Sequence, residues 1–569
     1  MRLLALFGIF GSLVGGVWGQ TSAPAKPGRL EGRVVNAVTK EAVRKATVTL
    51  RNTQRNAGGQ LSVTTDPEGK FVFENLAPGD YSVSAEKAGF VRPLGANLPI
   101  AMQGRIGLGG GGGSAASWKV AEGGVVAGVE VKLMPQSVLS GKVLDEDGEG
   151  FGQVRVSVWE WNYNGGWARL QMVGGAETNE VGEFRVANLA PGKYLVSAER
   201  GGGFAMGRAR RGGQGAAGAT PLTSGNETFS YARTYYPGVS ELEQAQKISL
   251  AAGQELSGVT LNLQKSKVFS LSGTIPAAGE EERYIVQVSP VTDFAAGPMA
   301  GGSMARVQNG SFTATNLLPG NYRLTVNAMG RDRRPQVIAR GEVTITNSNV
   351  ENVALAPVGA VEIKGRIRVE GEAAGVNLAQ VRVEPRAQGA GVLAMFNGGN
   401  RQQAVAEDGS FSYSELTPGN YVLQVNPEKV NCYVKSITYN GQDIRANGLD
   451  LRNGGSVELE VLLSPKVAAL NGRVELPEGA AGGTLVVVEE PYNPRKGSGK
   501  VQRKTVNEDG SFTVANLAPG TYRLLAVGEV ETKLIYDPEW LAARASETVT
   551  VEVREGETKA VSLRQAATN

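Results

Sequence analysis

The chain has 569 residues, a formal net charge of +3 and no histidine. A charge this small gives no reason to expect a nucleic-acid partner. Without histidine, the chain lacks the ligands of a zinc carboxypeptidase and the base of a Ser-His-Asp or Cys-His site. We therefore expect a protein that is not an enzyme and has neither a metal nor a cofactor. The single Cys432 cannot form an internal disulfide, and we expect it to be a partly buried thiol.

The first predicted element is a secretory signal peptide at residues 1–19. Arg2 supplies its positive start, Leu3 to Val14 its apolar segment, and Val17 to Gly19 a small-residue cleavage site. The apolar segment is too short and too rich in glycine for a good membrane span, although an uncleaved anchor is the alternative. No later stretch is apolar enough to cross a bilayer. We therefore expect an exported chain that is periplasmic, cell-surface-associated or extracellular.

One stretch then occurs five times, with the pattern Gly-x-Phe-x-x-x-x-Leu-x-Pro-Gly-x-Tyr. The glycine before Phe predicts a positive φ at the start of a strand, and Pro-Gly predicts a type II turn with positive φ at its glycine. The Tyr opens the next strand and is expected to be a structural corner residue. The five tyrosines are Tyr81, Tyr194, Tyr322, Tyr421 and Tyr522.

Each copy is preceded by an opening strand with a central glycine, such as Leu470 to Val474, and is followed by an apolar closing strand. Short alternating runs separated by turn residues predict an all-β chain of five tandem antiparallel β-sandwiches. Because the linkers are short, we expect an extended string. The predicted domains, called repeats 1 to 5 below, are residues 28–135, 136–265 (with a Gly/Arg-rich insertion), 266–358, 359–465 and 466–569.

This combination of opening strand and repeated stretch resembles the carboxypeptidase regulatory-like domain, and the resemblance covers nearly all of the mature chain. It implies an Ig-like or transthyretin-like, Cna-B-like sandwich, grouped with carbohydrate-binding-like folds. Thr234 to Gly238 and Cys432 to Asp443 resemble stretches of large secreted acidobacterial proteins. In the family such domains are usually non-catalytic accessory modules. Cna-B relatives can carry Lys–Asn isopeptide crosslinks; no Lys, Glu and Asn trio recurs here, and the crosslink stays an open alternative.

The best candidate binding site is an aromatic hairpin in repeat 2, residues 154–167. Val154, Val156 and Val158 share one face and predict core, whereas the aromatic residues lie on the other face and around the turn. Exposed flat rings suit stacking on sugars. A cross-strand ladder or packing against a neighbouring domain is the alternative. The candidate residues are Trp159, Trp161, Tyr163 and Trp167.

Three functions remain open at this point. The first is a non-catalytic scaffold or interaction protein of the bacterial envelope or exterior. The second is a polysaccharide-binding protein that uses the aromatic hairpin. The third is an accessory subunit of an outer-membrane uptake or surface assembly. The expected partners are accordingly polysaccharides or envelope proteins. Four arginines between Arg200 and Arg211 could meet an anionic surface, or could belong to a solvated loop.

Overall fold

The structure is a computed structural model. The chain divides into two compact units, one comprising Met1–Arg92 and Ser114–Leu133, the other Pro93–Gly113 and Met134–Asn569. The first unit thus holds most of repeat 1, and the second holds repeats 2 to 5. The residues that the structure describes are 26–53, 59–91, 117–163, 168–200, 222–224, 227–275, 283–291, 303–329, 335–371, 376–388, 405–480, 482–495, 498–528, 530 and 533–566.

Nearly all regular elements are strands, which confirms the predicted all-β class. Repeat 1 contains β1 (Gly28–Asn36), β2 (Thr47–Asn52), β3 (Gln60–Thr64), β4 (Lys70–Leu76), β5 (Gly79–Glu86), β6 (Phe90–Val91), β7 (Ser117–Val120) and β8 (Val125–Pro135). Repeat 2 contains β9 (Ser137–Leu144), β10 (Arg155–Asn162), β11 (Arg169–Glu177), β12 (Glu183–Leu189), β13 (Gly192–Glu199), β14 (Leu222–Ser224), β15 (Glu227–Tyr231), β16 (Thr234–Tyr235), a 3-10 turn (Leu242–Gln244), β17 (Ile248–Leu250) and β18 (Glu255–Asn262).

The linker strand β19 (Lys265–Lys267) leads into repeat 3, which contains β20 (Phe269–Thr274), β21 (Arg283–Pro290), β22 (Ser303–Gln308), β23 (Ser311–Leu317), β24 (Gly320–Met329), β25 (Pro335–Ile345), β26 (Val350–Val353) and β27 (Ala356–Pro357). Repeat 4 contains β28 (Val361–Val369), a 3-10 turn (Leu378–Gln380), β29 (Arg382–Gln388), β30 (Ser410–Leu416), β31 (Gly419–Asn426), a 3-10 turn (Glu428–Val430), β32 (Tyr433–Tyr439), β33 (Gln442–Asp443), β34 (Leu449–Leu451) and β35 (Gly455–Ser464).

Repeat 5 differs from the others by a helical insertion. It contains β36 (Ala468–Glu475), β37 (Gly483–Glu489), β38 (Val501–Val506), β39 (Ser511–Leu517), β40 (Gly520–Val527), a 3-10 turn (Leu534–Tyr536), α1 (Pro538–Ala543), a 3-10 turn (Ala545–Glu547), β41 (Val549–Val553) and β42 (Thr558–Arg564). The side chain of Asp537 caps α1 by accepting a hydrogen bond from the backbone N–H of Glu539, and Pro538 occupies the first turn.

In all five repeats the opening strand lies between the Phe strand and the closing strand. In repeat 5, β36 lies between β39, to which it is antiparallel, and β42, to which it is parallel. The second sheet places β37 beside the Tyr strand β40. The expected sandwiches are thus not purely antiparallel, because the closing strand returns to the first sheet after the chain has crossed to the second. In repeat 3, β22 pairs with both β21 and β23 and joins the two sheets.

The buried apolar side chains form five large clusters, and each is drawn from a single repeat. In repeat 5 the repeated Phe512, Leu517 and Tyr522 belong to one cluster. The clusters span residues 30–133, 139–263, 269–355, 361–463 and 468–563. The division into five domains stays a prediction, and each core lies within one predicted segment.

Each repeated tyrosine ties its strand to the preceding corner. Its hydroxyl donates a hydrogen bond to the carbonyl oxygen four residues earlier, at 2.8 Å for Tyr81, Tyr322 and Tyr522 and at 2.5 Å for Tyr194. Tyr421 makes the same bond to Thr417. The rings are buried in the cores, so the hydroxyl keeps a partner where water is scarce.

The predicted type II turn at Pro-Gly is wrong. That turn needs φ near +80° at its glycine, whereas Gly320 and Gly520 have φ of 153° and 155° and the other three are not at positive φ. The left-handed residue comes instead four positions after Phe, with φ of 57–60°. These residues are Asn75, Asn188, Asn316, Glu415 and Asn516.

At this left-handed residue, the pairing with the opening strand shifts register in all five repeats. The chain therefore turns through a bulge, which asparagine tolerates because it enters the left-handed region at low cost. The glycine before Phe does have the predicted positive φ, for example 74° at Gly69 and 79° at Gly510.

The glycine of each opening strand leaves room for two neighbours. A Cβ on Gly472 would lie 2.0 Å from the carbonyl oxygen of Val561 on the closing strand and 2.5 Å from Cζ of Phe512. In the other four repeats the corresponding distance to the closing-strand oxygen is between 1.8 and 2.7 Å. Any larger residue would push the closing strand and the Phe ring away.

The predicted extended string does not describe the second unit. Within this unit, repeats 2 and 3 do contact each other, as in the hydrogen bond from the backbone N–H of Val268 to the carbonyl oxygen of Thr228, at 2.9 Å. Repeat 5, however, also contacts repeat 2, since Lys533 forms an ion pair with Glu160 at 2.8 Å. The insertion between β40 and β41 makes this contact, and it holds the one α-helix found among the described residues.

We predict that Gly472→Ala destabilises repeat 5 by about 2 kcal/mol or more, because the new methyl group overlaps the backbone of β42. Gly359→Ala is the control: its Cβ would meet nothing within 4 Å, and we expect a change of about 0.5 kcal/mol or less. Urea denaturation of the two full-length variants measures the difference. Equal stabilities would contradict the assigned role of the glycine.

We predict that Tyr522→Phe lowers the free energy of unfolding of repeat 5 by about 1 kcal/mol, because the Ala518 carbonyl loses its hydrogen-bond donor. Tyr522→Ala should lower it by about 3–5 kcal/mol, because the core contacts of the ring are also lost. Hydrogen-exchange mass spectrometry of the full chain should show lost protection in peptides of repeat 5 and normal protection in repeat 3. Wild-type protection of repeat 5 in Tyr522→Ala would show that the corner is dispensable.

Candidate functional site

The aromatic hairpin is built on β10, the central strand of the second sheet of repeat 2. This strand pairs with β11 on one side and with β13 on the other. Val154, Val156 and Val158 lie in the core of the repeat, as the alternation predicts. The pairing with β11 shifts register between Val158 and Trp159. This bulge lies where the strand begins to carry its aromatic side chains.

Trp159 is not available as a binding surface. Its side chain is only 5% exposed and packs with Leu170 and Leu195 in a small cluster on the outer face of the sheet. Its Nε1 donates a hydrogen bond to Oγ of Ser197 at 2.8 Å, and the guanidinium of Arg233 lies 5.9 Å from the ring centroid. The outer-face position was predicted correctly, but the expected exposure was not, because neighbouring strands and loops cover this face.

Trp161 and Tyr163 form a stacked pair, with ring centroids 6.4 Å apart and an angle of 20° between the planes. Trp161 is half-buried, and the guanidinium of Arg495 in repeat 5 lies 5.3 Å from its ring centroid. Tyr163 is 8% exposed. Burial, helped by the carboxylates of Asp537 and Glu539, raises the pKa of Tyr163 well above its usual range. Trp167 lies outside the described residues.

Charged groups of repeats 2 and 5 meet around this pair. Besides the ion pair between Lys533 and Glu160, the carboxylate of Glu539 accepts hydrogen bonds from Lys193, at 3.0 Å, and from Lys247. These contacts lower the pKa of Glu539. The backbone N–H of Ala168 donates to the carbonyl oxygen of Pro494 at 2.8 Å. We call this set of contacts the 2/5 seam.

The repeat 5 side of the seam was missed by the sequence analysis. A signal for it was present, since Asp537-Pro538-Glu539 before an apolar run is typical of a helix start. The insertion packs on repeat 5 through a small cluster that includes Ile535 and Leu541. The hydroxyl of Tyr492 donates to the carbonyl oxygen of Tyr536 at 2.8 Å. The insertion therefore packs on its own repeat as well as contacting repeat 2.

A second polar cluster lies where repeats 4 and 5 meet. The carboxylate of Glu555, in the turn between β41 and β42, accepts hydrogen bonds from the hydroxyl of Tyr433 at 2.6 Å, from Oγ of Ser464 at 3.1 Å and from Nζ of Lys435 at 3.3 Å. The Tyr433 hydrogen bond is the largest cause that lowers the pKa of Glu555 to about 2. Lys435 also pairs with Glu370 of repeat 4 at 2.5 Å.

The other predicted positions offer no reactive group. Cys432 is 2% exposed, its thiol contacts the carbonyl oxygen of Val430 at 3.4 Å, and burial raises its pKa. The guanidinium of Arg200 lies 4.5 Å from the ring centroid of Phe151, whereas residues 201–211 lie outside the described part. Among the described residues, no lysine is buried, as a Lys–Asn crosslink inside a core would require.

Two further searches concern the described residues only. No group of three or more His, Cys, Asp and Glu side chains is placed to hold a metal ion. No helix in this part of the chain is both long and apolar enough to cross a membrane.

Comparison with known proteins supports the fold. Residues 29–102 match the model of the carboxypeptidase regulatory-like domain, which confirms the resemblance for repeat 1. No curated protein matches the chain. Among solved structures it is similar to the Bacillus anthracis TIE protein, with 12% identity, coverage of 74% of this chain and 73% of that one, and a TM-score of 0.14.

Two further similar structures come from other bacteria. The major pilin subunit BcpA of Bacillus cereus shares 10% identity, with coverage of 77% and 100% and a TM-score of 0.14. Two B repeat units of the collagen binding protein of Staphylococcus aureus share 10% identity, with coverage of 78% and 100% and a TM-score of 0.13.

We predict that Glu555 makes the junction of repeats 4 and 5 sensitive to acid. Its pKa falls on folding from an ordinary 4.5 to about 2. Its contribution to stability is therefore fully present above about pH 4.5 and is lost as the pH falls toward 2. In urea denaturation between about pH 6 and pH 2.5, Glu555→Gln should show a smaller loss of stability than the wild type. Glu552→Gln, which replaces an exposed carboxylate on β41, should behave like the wild type; equal pH profiles for all three would contradict the assignment.

Proposed function

We propose that this protein is a non-catalytic, exported scaffold or interaction protein of the bacterial envelope or exterior. The observation that carries the proposal is the structural role of the repeated residues. In every repeat the fixed positions build the sandwich: a glycine beneath the closing strand, a left-handed residue at the bulge and a tyrosine that ties the corner. The glycine has no side chain, and the tyrosine hydroxyl is already used in the corner hydrogen bond.

Variable positions carry several of the contacts between repeats, although the repeated Pro418 and Asn516 also take part in such contacts. Glu160, Lys533 and Glu539 belong to the 2/5 seam, and Glu555 to the junction of repeats 4 and 5. None of them belongs to the repeated pattern. The chain thus uses its sequence variation to join sandwiches to one another, which suits a scaffold. The predicted signal peptide places this scaffold in the periplasm, on the surface or outside the cell.

A specific observation also favours carbohydrate binding as a second candidate function. The flat ring of Trp161, stacked on Tyr163, is of the kind that suits sugar rings, and it is half-buried rather than fully covered. Against this, Arg495 already lies over Trp161. The remaining possibility, an accessory subunit of an outer-membrane uptake or surface assembly, rests on the family resemblance alone.

We predict no hydrolase activity in the purified chain, because it has no histidine and the described carboxylates of the seams are paired with lysine. A panel of peptide, ester and glycoside substrates measures this. Reproducible turnover that a single point substitution abolishes would overturn the scaffold proposal.

Affinity electrophoresis in polysaccharide gels tests the second candidate function, carbohydrate binding. Retardation of the wild type that Trp161→Ala removes, with an unchanged circular dichroism spectrum, would support it. No retardation in any gel would remove it.

A further inference from the structure

Repeat 5 contacts repeat 2, although repeats 3 and 4 separate the two in the sequence. The residues involved lie 373 positions apart in the case of Glu160 and Lys533. Sequential repeats are held together by a short linker as well as by their contacts. Repeats 2 and 5 have no such linker, so this seam depends on non-covalent contacts alone.

We propose that the aromatic hairpin of repeat 2 is an interaction surface whose partner is the helical insertion of repeat 5, and that charge holds this contact as a reversible latch. In the closed form repeat 5 lies against the hairpin, with Lys533 of the insertion at Glu160 and Arg495 of the segment between β37 and β38 at Trp161. In the open form the stacked rings face solvent while every sandwich stays folded.

The composition of the seam is the first argument. The buried side chains of the insertion form a cluster with repeat 5 only, and those around Trp159 form a cluster with repeat 2 only. No buried apolar cluster in the described part of the chain spans the two repeats. The seam therefore lacks the apolar core that makes obligate interfaces permanent.

The second argument is the arrangement of charge. Glu160 of repeat 2 meets Lys533 of repeat 5, whereas Lys193 and Lys247 of repeat 2 meet Glu539 of repeat 5. Each side thus carries both positively and negatively charged side chains, and each charge lies opposite a charge of the other sign. Such a pattern fixes the orientation in which the two surfaces can meet, and it disfavours other orientations by like-charge repulsion.

The third argument is exposure. The side chains of the Lys193–Glu539 pair are 56% and 47% exposed, and those of the Lys533–Glu160 pair are 29% and 17% exposed. Partly exposed ion pairs are weak and are screened by salt, since the Debye length falls to about 3 Å at 1 M ionic strength. A contact made of such pairs, one guanidinium near an aromatic ring and one backbone hydrogen bond, opens when salt rises and closes when it falls.

The test is energy transfer between dyes on the two sides of the seam in the full-length chain. Glu243 and Glu547 are exposed and lie close in sequence to seam residues of repeats 2 and 5. Both are replaced by Cys and labelled, in a Cys432→Ala background that removes the native thiol. We expect high transfer efficiency at low salt and an efficiency at least about twofold lower in 1 M NaCl.

Charge-reversal variants make the test specific. Lys533→Glu places two carboxylates together and should lower the transfer efficiency already at low salt. Adding Glu160→Lys to that variant restores opposite charges and should restore the efficiency. Lys70→Glu, an equal charge change on an exposed lysine of repeat 1, should have no effect. Far-UV circular dichroism shows that each variant is folded.

Three results would overturn the proposal. Efficiency that stays high at all salt concentrations and in Lys533→Glu would show a permanent interface. Low efficiency in the wild type under all conditions would show that the contact does not form in solution. Failure of the folded double variant to recover the efficiency that Lys533→Glu loses would show that the Glu160–Lys533 pair does not hold the latch.

Discussion

The fold of every repeat depends on the close approach of the closing strand to one glycine of the opening strand. The opening strand is the middle strand of its sheet, with the Phe strand antiparallel on one side and the closing strand parallel on the other. At Gly472, and at its counterparts Gly32, Gly141, Gly273 and Gly365, a side chain would strike the closing strand. Because the closing strand is the last element of the repeat, the glycine decides whether the sandwich can be completed.

The tyrosine and the left-handed residue then set how the chain leaves the first sheet. The bulge at Asn516 lets Leu517 turn into the core, and the hydroxyl of Tyr522 fixes the corner through the carbonyl oxygen of Ala518. These interactions are local, and they are satisfied within each repeat. None of these residues lies in the long loops, which leaves those loops free to vary. The variation is where repeat 2 acquired an aromatic hairpin and repeat 5 a helical insertion.

The contacts between these repeats are largely polar, whereas the cores are apolar. Where repeats 4 and 5 meet, Glu555 accepts hydrogen bonds from Tyr433, Lys435 and Ser464. In the 2/5 seam, Glu539 forms ion pairs with two lysines. Such contacts give orientation more than strength, because exposed charges gain little from pairing in water. A chain built from rigid sandwiches and polar joints can change the arrangement of its parts without unfolding any of them.

The sequence by itself determined the all-β class, the strand alternation, the positive φ at the glycine before Phe and the valines of β10 in the core, since these depend on period-two patterns and on residues with special backbone freedom. It also excluded histidine-based catalysis. Only the tertiary structure decided that Pro-Gly is not the turn, because the sequence pattern was equally compatible with a bulge at the asparagine. It alone decided that Trp159 is covered, because alternation gives the face of a side chain but not what lies over that face. The contact of repeat 5 with repeat 2 was beyond sequence reasoning for the same reason: complementary charges 373 positions apart leave no local pattern.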